Sequence, residues 1–355
     1  MWREYSQGLG LVHNGAMSGS FGNDACGMTR ALVESFVMDN GLPIYAAGSG
    51  YAGDDYLENV PKGRDDRLRL WLKLPGQKNI LWNREAAVVG LLDEPPFPLI
   101  TQGNWIKYIT GYTSRKGAVQ DGNHYQPAQG QSWLPSPGFR SAEAMLNYME
   151  ACYEKNGSLD ATADKYWRAL RTRAGVDPDY NKTIAATEMT MEAATGNLAV
   201  WSGNSMVDPT LFNIRRERNS EMWGEDLRKY DIRRWRSLDG LIDKPYHVEG
   251  FKIWGPMKNI YEAISPLSPE NYRPLVYDSS SATVSSPNNS LYLRPFQILT
   301  ADLLYNGLQW KMAWYLAPIG LQRFTDLVPD GDISKSPLYQ NPGWGLEAGR
   351  EASDI

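Results

Sequence analysis

Residues 214–236 read Ile214-Arg-Arg-Glu-Arg-Asn-Ser-Glu-Met-Trp-Gly-Glu-Asp-Leu-Arg-Lys-Tyr-Asp-Ile-Arg-Arg-Trp-Arg236, eight basic and five acidic residues threaded with aromatics. Arg215 to Met222 contains neither Gly nor Pro and reads as helix. Trp223-Gly224 is its stop, and Glu225-Asp226 supplies the acidic opening that a second helix favours at its positive end. In that second helix Leu227, Tyr230, Arg234 or Trp235, and Leu238 recur at helical spacing, which places Tyr and Trp inward. The block is expected to be a helical hairpin in which Glu217, Glu221 and Asp231 meet Arg215, Arg218, Arg233 and Arg234 in bidentate pairs, a geometry open to Arg and closed to Lys. Arg interleaved with aromatics also suits phosphates and stacked bases. The local excess, however, is three positive charges (eight minus five) and the whole chain carries −5, so no basic footprint extends beyond the block.

The helical pattern continues upstream. Phe139 to Asn156 carries Ala142, Met145, Met149 and Cys152 on one stripe, Gly157-Ser158 breaks it, and Asp160 to Ala174 runs to Gly175. Together they predict an antiparallel hairpin, and Asp177 to about Arg236 adds further helices. Two hairpins do not by themselves establish a repeat. Ahead of Pro135-Ser-Pro-Gly138 the chain is rich in Gly, Asn and Pro, with the runs Leu68 to Leu74 and Trp105 to Thr110 reading as short strands among loops. Beyond Gly240 it turns irregular, with a Ser-rich loop from Ser279 to Ser290, one helical stretch from about Phe296 to Trp314, and a tail punctuated by Pro and Gly. The expected organisation is a loop-rich, ligand-binding region over 1–137, helical hairpins over 138–240, and an irregular C-terminal region over 241–355 belonging to the same domain.

With 355 residues, 42% of them hydrophobic and 22% charged, the chain can build a substantial core. Its 13 Trp, 20 Tyr, 33 Gly and 22 Pro combine flat apolar rings with turn formers, as ordered loops that display aromatic faces require, though such rings also fill large cores. Trp167, Trp235, Trp310 and Trp314 fall in helical stretches and are expected in the core; Trp71 alternates with leucines and is expected on a strand. Cys26 and Cys152 are too few for a disulfide framework, and Cys152 reads as a buried small hydrophobe. His13, His124 and His247 are scattered, so neither a metal site nor a cofactor is expected. No run of apolar residues reaches bilayer length. Met1-Trp-Arg-Glu-Tyr lacks the order of an export signal, and Gly22-Asn-Asp-Ala25 before Cys26 is not a lipid-attachment context.

Several further stretches, taken in order, resemble the SusD/RagB family. Phe36 to Ile44 and Lys62-Gly-Arg-Asp-Asp-Arg67 are similar to its early motifs, and Lys107 with Thr110-Gly-Tyr112 to the next. Phe139 to Ala151 resembles its "aEA" helix, and Leu170-Arg-Thr-Arg-Ala-Gly175 its "iR.RAG". The opening block, then Tyr315-Leu-Ala-Pro-Ile319 and Gln340-Asn-Pro-Gly-Trp344, resemble its closing signatures. The resemblance is to the family's C-terminal two-thirds. Its members start with an export signal, a lipidated cysteine and extra helical repeats, which are not seen here.

That resemblance implies a mainly α protein of tetratricopeptide-like helix pairs with long irregular insertions and a few short strands. It implies a non-catalytic, lipid-anchored protein of Bacteroidetes outer membranes. Such a protein sits as a lid on a SusC-like, TonB-dependent transporter and captures oligosaccharides, or in some members peptides. It also points to the loop-rich part before the Phe139 helix for the ligand. There Tyr51, Tyr56, Trp82, Trp105 and Trp133 are the candidate platforms for sugar C–H faces, and Asn83, Asn104 and Asn123 the polar partners. A glycoside hydrolase is the alternative, with Asp54-Asp55, Asp65-Asp66 and Asp93-Glu94 as acid pairs; neighbouring acids on a strand point apart, whereas a working pair must converge. A helical scaffold for protein partners is the third reading.

Overall fold

The computed structural model describes residues 2–13, 27–78, 95–101, 108–117, 133 and 135–353. The chain is mainly helical. Short β1 (Trp2–Arg3) is followed by α1 (Arg30–Ser35) and α2 (Asp66–Trp71), and β2 (Ser136–Pro137) pairs antiparallel with β1. Then come α3 (Ser141–Asn156), α4 (Ala161–Arg173), α5 (Tyr180–Ala185), α6 (Met189–Ala194), the β3–β4 hairpin (Trp201–Ser202, Ser205–Met206), α7 (Pro209–Met222), α8 (Arg228–Arg234), α9 (Pro256–Ile264) and α10 (Leu321–Thr325).

The expected α3–α4 hairpin forms where its caps direct it. Gly157 closes α3 at φ 68°, the left-handed conformation that glycine adopts without strain, and the Asp160 carboxylate accepts the Ala163 N–H to open α4. Leu146 and Met149 of α3, Trp167 and Leu170 of α4, and Ile214 and Met222 of α7 form one core. Cys152 is buried among them, as its stripe foretold.

Helix α7 is enclosed on nearly every side although its middle is charged: Arg215, Arg216, Glu217, Arg218 and Glu221 are all buried. A polar helix survives such burial when each charge is paired. The partners differ from those expected. Arg218 does reach Asp231 across the hairpin, at 2.8 Å. Glu217 and Glu221, however, go to Arg67 (2.7 and 3.2 Å), and Glu221 also to Arg140 (2.8 Å) and Arg173 (2.5 Å), all outside the block. Arg215 donates to the Trp201 carbonyl and the Ser202 hydroxyl, Arg216 pairs with Glu192, and Arg234 forks onto Glu150 at 2.7 and 2.6 Å. The block therefore ties α7 to α2, α3, α4 and α6 rather than to its own hairpin mate alone. Trp223-Gly224 ends α7 as read, with Gly224 at φ 73°, and Lys116 Nζ caps the carbonyls of Glu221 and Trp223. Trp235 is buried, but Tyr230 is 58% exposed, against the expectation that it packs inward.

Three other expectations give way to tertiary context. The Leu68–Leu74 run is not a strand: Asp65 caps it by accepting the Arg67 N–H, and Leu68 and Leu72 are buried at i, i+4 while Leu70 is 60% exposed. Trp71 is accordingly helical. Of the second expected strand, Trp105 to Lys107 lies outside the described residues, and Tyr108 to Thr110 belongs to a turn that Gly111 N–H closes onto the Tyr108 carbonyl. The expected helix over Phe296–Trp314 is a series of turns with a single 3-10 turn at Met312–Tyr315; Gly307 takes φ 89° and Leu308 pairs with Tyr246 instead. A helix forms where none was read, at α9, with Pro256 in its first turn and Met257 and Tyr261 buried.

A second, larger core joins the loop-rich segments to the C-terminal region: Met28, Phe36, Leu57, Leu68, Leu99 and Tyr112 pack with Phe251, Ile253, Tyr261 and Leu293. Two glycines make the join possible. A Cβ on Gly250 would stand 2.0 Å from the Thr110 carbonyl oxygen, and one on Gly111 2.1 Å from the Phe251 ring. The bare backbones instead meet through Phe251 N–H to Thr110 O at 2.8 Å.

Candidate ligand-binding site

Of the candidate platforms, three are described. Tyr56 is 42% and Trp133 40% exposed, so both rings reach the surface of the loop-rich part. Tyr51 is half-buried, with the Arg64 guanidinium 5.3 Å above its ring, and burial pushes its hydroxyl pKa up to about 12. Trp82, Asn83, Asn104, Trp105 and Asn123 lie outside the described residues.

Tyr51 borders a polar cluster that crosses from the first region to the last. Tyr292 donates to Asp54 at 2.6 Å, the Arg30 guanidinium lies 3.5 Å from the Tyr292 ring centre, and Arg30 pairs with Glu34 and Glu249. Glu249 also accepts from Ser290 and Arg294. Burial alone would raise Glu249, but Ser290, Arg30 and Arg294 hold it below the usual carboxylate range; Glu34 is raised, burial outweighing Arg30. The acids of the hydrolase alternative have structural work. Asp54 and Asp55 sit 3.7 and 2.8 Å from Lys252, Asp65 caps α2 and pairs with Arg67 at 2.6 Å, and Asp66 holds Arg69. Asp93-Glu94 lies outside the described residues.

A concave feature lies apart from these carboxylates. A cavity of about 260 Å³ is walled by Ile100, Ile109, Ile298 and Leu299 and carries Thr101, Arg273 and Asp302 among its polar lining. Five stretches of chain converge to make it, and the Phe251–Thr110 join described above anchors the residue next to Ile109. Thr101 Oγ1 accepts the Arg273 N–H at 2.9 Å, anchoring that residue's backbone. The Thr283 hydroxyl, also in the wall, is occupied by the Pro274 carbonyl and the Val276 N–H. Arg273 and Asp302 are both exposed at the mouth.

None of the candidate residues lines this cavity among the described residues, although Asn104 and Trp105 belong to the interval between its lining residues Thr101 and Ile109. Thr101, Arg273 and Asp302 escaped the reading of the sequence. Each stands alone in a turn-rich stretch, and no periodicity or spacing marks them. Among the described residues no group of His, Cys, Asp and Glu is arranged to hold a metal ion.

A protein-family model described as the SusD family matches residues 4–344. No curated protein and no solved structure matches the chain.

Proposed function

This chain belongs to the SusD family, a family known for glycan binding, and on that premise we propose that it is a cell-surface protein that captures oligosaccharides without turning them over. The observation that carries this reading is the family match over nearly the whole chain. The captured glycan would pass to a SusC-like, TonB-dependent transporter in the outer membrane, with a lipid anchor holding the protein at the surface. Among the described residues no helix is long and apolar enough to cross a membrane.

The physical features agree with capture. A helical frame locked by buried ion pairs carries irregular loops, and rigid support of loops is what a preformed site needs. Exposed Tyr56 and Trp133 supply platforms; Tyr51, Trp82, Asn83, Asn104, Trp105 and Asn123 remain proposed contacts of the same loop-rich part. The cavity, at about 260 Å³, is below the roughly 300 Å³ at which pockets for drug-sized molecules begin. It suits one sugar residue of a longer chain. The commitment of Asp54, Asp55 and Asp65 to Lys252, Tyr292 and Arg67 supports binding without hydrolysis.

Calorimetric screening of the chain against oligosaccharides tests the reading. Binding with the oligosaccharide recovered intact is expected. Release of shorter products would replace capture by hydrolysis, and a complete lack of glycan binding would leave a scaffold role. Co-purification with a TonB-dependent transporter is expected from cells that hold both.

A further inference from the structure

The cavity's own chemistry narrows the kind of glycan, an inference that rests on the capture reading. Arg273 starts from a backbone fixed by Thr101, yet its guanidinium has no hydrogen-bond or ion-pair partner among the described residues. Asp302 accepts one backbone N–H, from Leu304 at 2.9 Å, and it does not pair with Arg273 although both line the same cavity. Thr101 accepts from Arg273 and keeps its own hydroxyl proton to offer. One uncommitted guanidinium, one half-committed carboxylate and one hydroxyl donor thus face a small space whose remaining walls, Thr283 apart, are aliphatic.

Each group asks for a different part of a ligand. A guanidinium is matched best by a carboxylate, which takes two parallel N–H donors. A carboxylate with free lone pairs is matched by hydroxyl donors, and aliphatic walls by C–H surface. A neutral sugar would serve Asp302 and the walls while leaving the guanidinium without an anion. We propose that this cavity is a subsite for a hexuronic acid residue of the captured glycan. Arg273 takes the sugar carboxylate, Asp302 and Thr101 the ring hydroxyls, and Ile100, Ile109, Ile298 and Leu299 the C–H face.

The chain's net charge of −5 gives an acidic glycan no long-range attraction. The preference is therefore a short-range effect of one residue, and a single substitution removes it. Because Arg273 and Asp302 are exposed, changing either leaves the two cores intact, and an unchanged thermal midpoint confirms that the fold persists.

The test is titration calorimetry on the full chain with galacturonate and glucuronate disaccharides, the neutral galactose and glucose disaccharides of the same linkages, and leucine as an amino-acid probe. Uronate disaccharides are expected to bind about tenfold tighter than their neutral counterparts, in line with one hydrogen-bonded charge partner. Arg273→Ala should abolish the difference by weakening the uronate disaccharides to the level of their neutral counterparts, and Arg273→Lys, which keeps charge but not the fork, should retain part of it. The subsite is overturned if neutral and acidic sugars bind alike, if the preference survives Arg273→Ala, or if leucine alone shows the Arg273 dependence. In the first two of these outcomes sugar capture itself stands. If no disaccharide of either kind binds, the capture reading and the subsite fall together.

Discussion

Asp231 shows what a single charge does inside this molecule. Arg218 Nε lies 2.9 and 2.8 Å from its two oxygens, Arg234 adds a third contact at 3.0 Å, and Arg218 and Asp231 are each about 5% exposed or less. Removing the carboxylate strands a buried guanidinium, which costs more than the pair itself contributes. Asp231→Ala is therefore expected to destabilise the fold by about 3–5 kcal/mol, measured by urea unfolding. The double change Arg218→Met with Asp231→Leu should regain most of that loss, because an apolar pair needs no desolvated charge. A single variant that loses under about 1 kcal/mol, or a double variant no better than the single, would contradict this account. The sequence made these residues conspicuous through density of charge, and the expected hairpin set Asp231 opposite several arginines without choosing Arg218 among them. It could not assign Glu217 and Glu221 to Arg67, Arg140 and Arg173, because those partners arrive from other helices. Arg273 and Asp302 were illegible for the same reason in stronger form: only the folded chain brings them to one cavity.

Helix ends marked by Gly157, Asp160 and Gly224 were read correctly, but the marks at Asp65 and Pro256 were missed and Glu225-Asp226 do not open α8, which starts at Arg228 behind Leu227. Gly157, Asp160 and Gly224 delimit helices through local backbone and capping chemistry, whereas the segment after Phe296 is held out of helix by the pairing of Leu308 with Tyr246. The same contrast predicts how contacts between segments fail. Gly250 is pressed on Thr110 at a distance that leaves no room for a methyl group, so Gly250→Ala must push the two backbones apart. A loss of about 1–3 kcal/mol is expected, as for overpacked cores, and glycan affinity should fall with it because Ile109 is one residue from the displaced chain. Unchanged stability would show that the join yields freely. The C-terminal staple is a gentler case. Gln340 both accepts the Ile319 N–H at 2.8 Å and donates to the Ile319 carbonyl at 2.9 Å, while Trp344 Nε1 donates to the Leu316 carbonyl at 2.9 Å. Gln340→Ala should cost about 1–2 kcal/mol and appear first as faster proteolysis between α10 and the end of the described chain. That local opening should precede global unfolding, since the contact lies outside both main cores. Proteolysis that begins instead within α3 or α4 would refute it.

Across the whole molecule, the buried carboxylates decide how the fold meets acid. For Glu221, burial alone would raise the pKa, but Arg67, Arg140 and Arg173 together hold it below the ordinary 4.5. Arg140 and Lys116 do the same for Glu225, and Ser290, Arg30 and Arg294 for Glu249. A carboxyl depressed on folding stabilises the folded chain above its unfolded pKa, and that contribution is lost as pH falls through the folded value. Glu34 has the opposite sign: raised by burial in spite of Arg30, it favours the folded chain at low pH and opposes it once the pH passes its folded pKa. Three depressed groups against one raised group leave acid as the destabilising direction. The geometry sharpens this, because protonating Glu221 removes the one carboxylate shared by three guanidinium groups where α2, α3, α4 and α7 meet, leaving Asp65 and Glu217 to hold Arg67 and Glu225 to hold Arg140. The thermal midpoint is therefore expected to hold near neutral pH and to fall steadily between about pH 4.5 and pH 3. Glu221→Gln should lower stability at neutral pH while flattening that acid slope, since the variant has no proton to gain there. A midpoint level from pH 6 to about pH 3, or an unchanged slope in the variant, would contradict the assignment. The junction that titrates is also the one that binds the helical hairpins to the loop-bearing half through Arg67 and Lys116. Glycan affinity should consequently decline over the same acid range as the midpoint, and a loss of binding well above it would locate the responsible group in the ligand site itself.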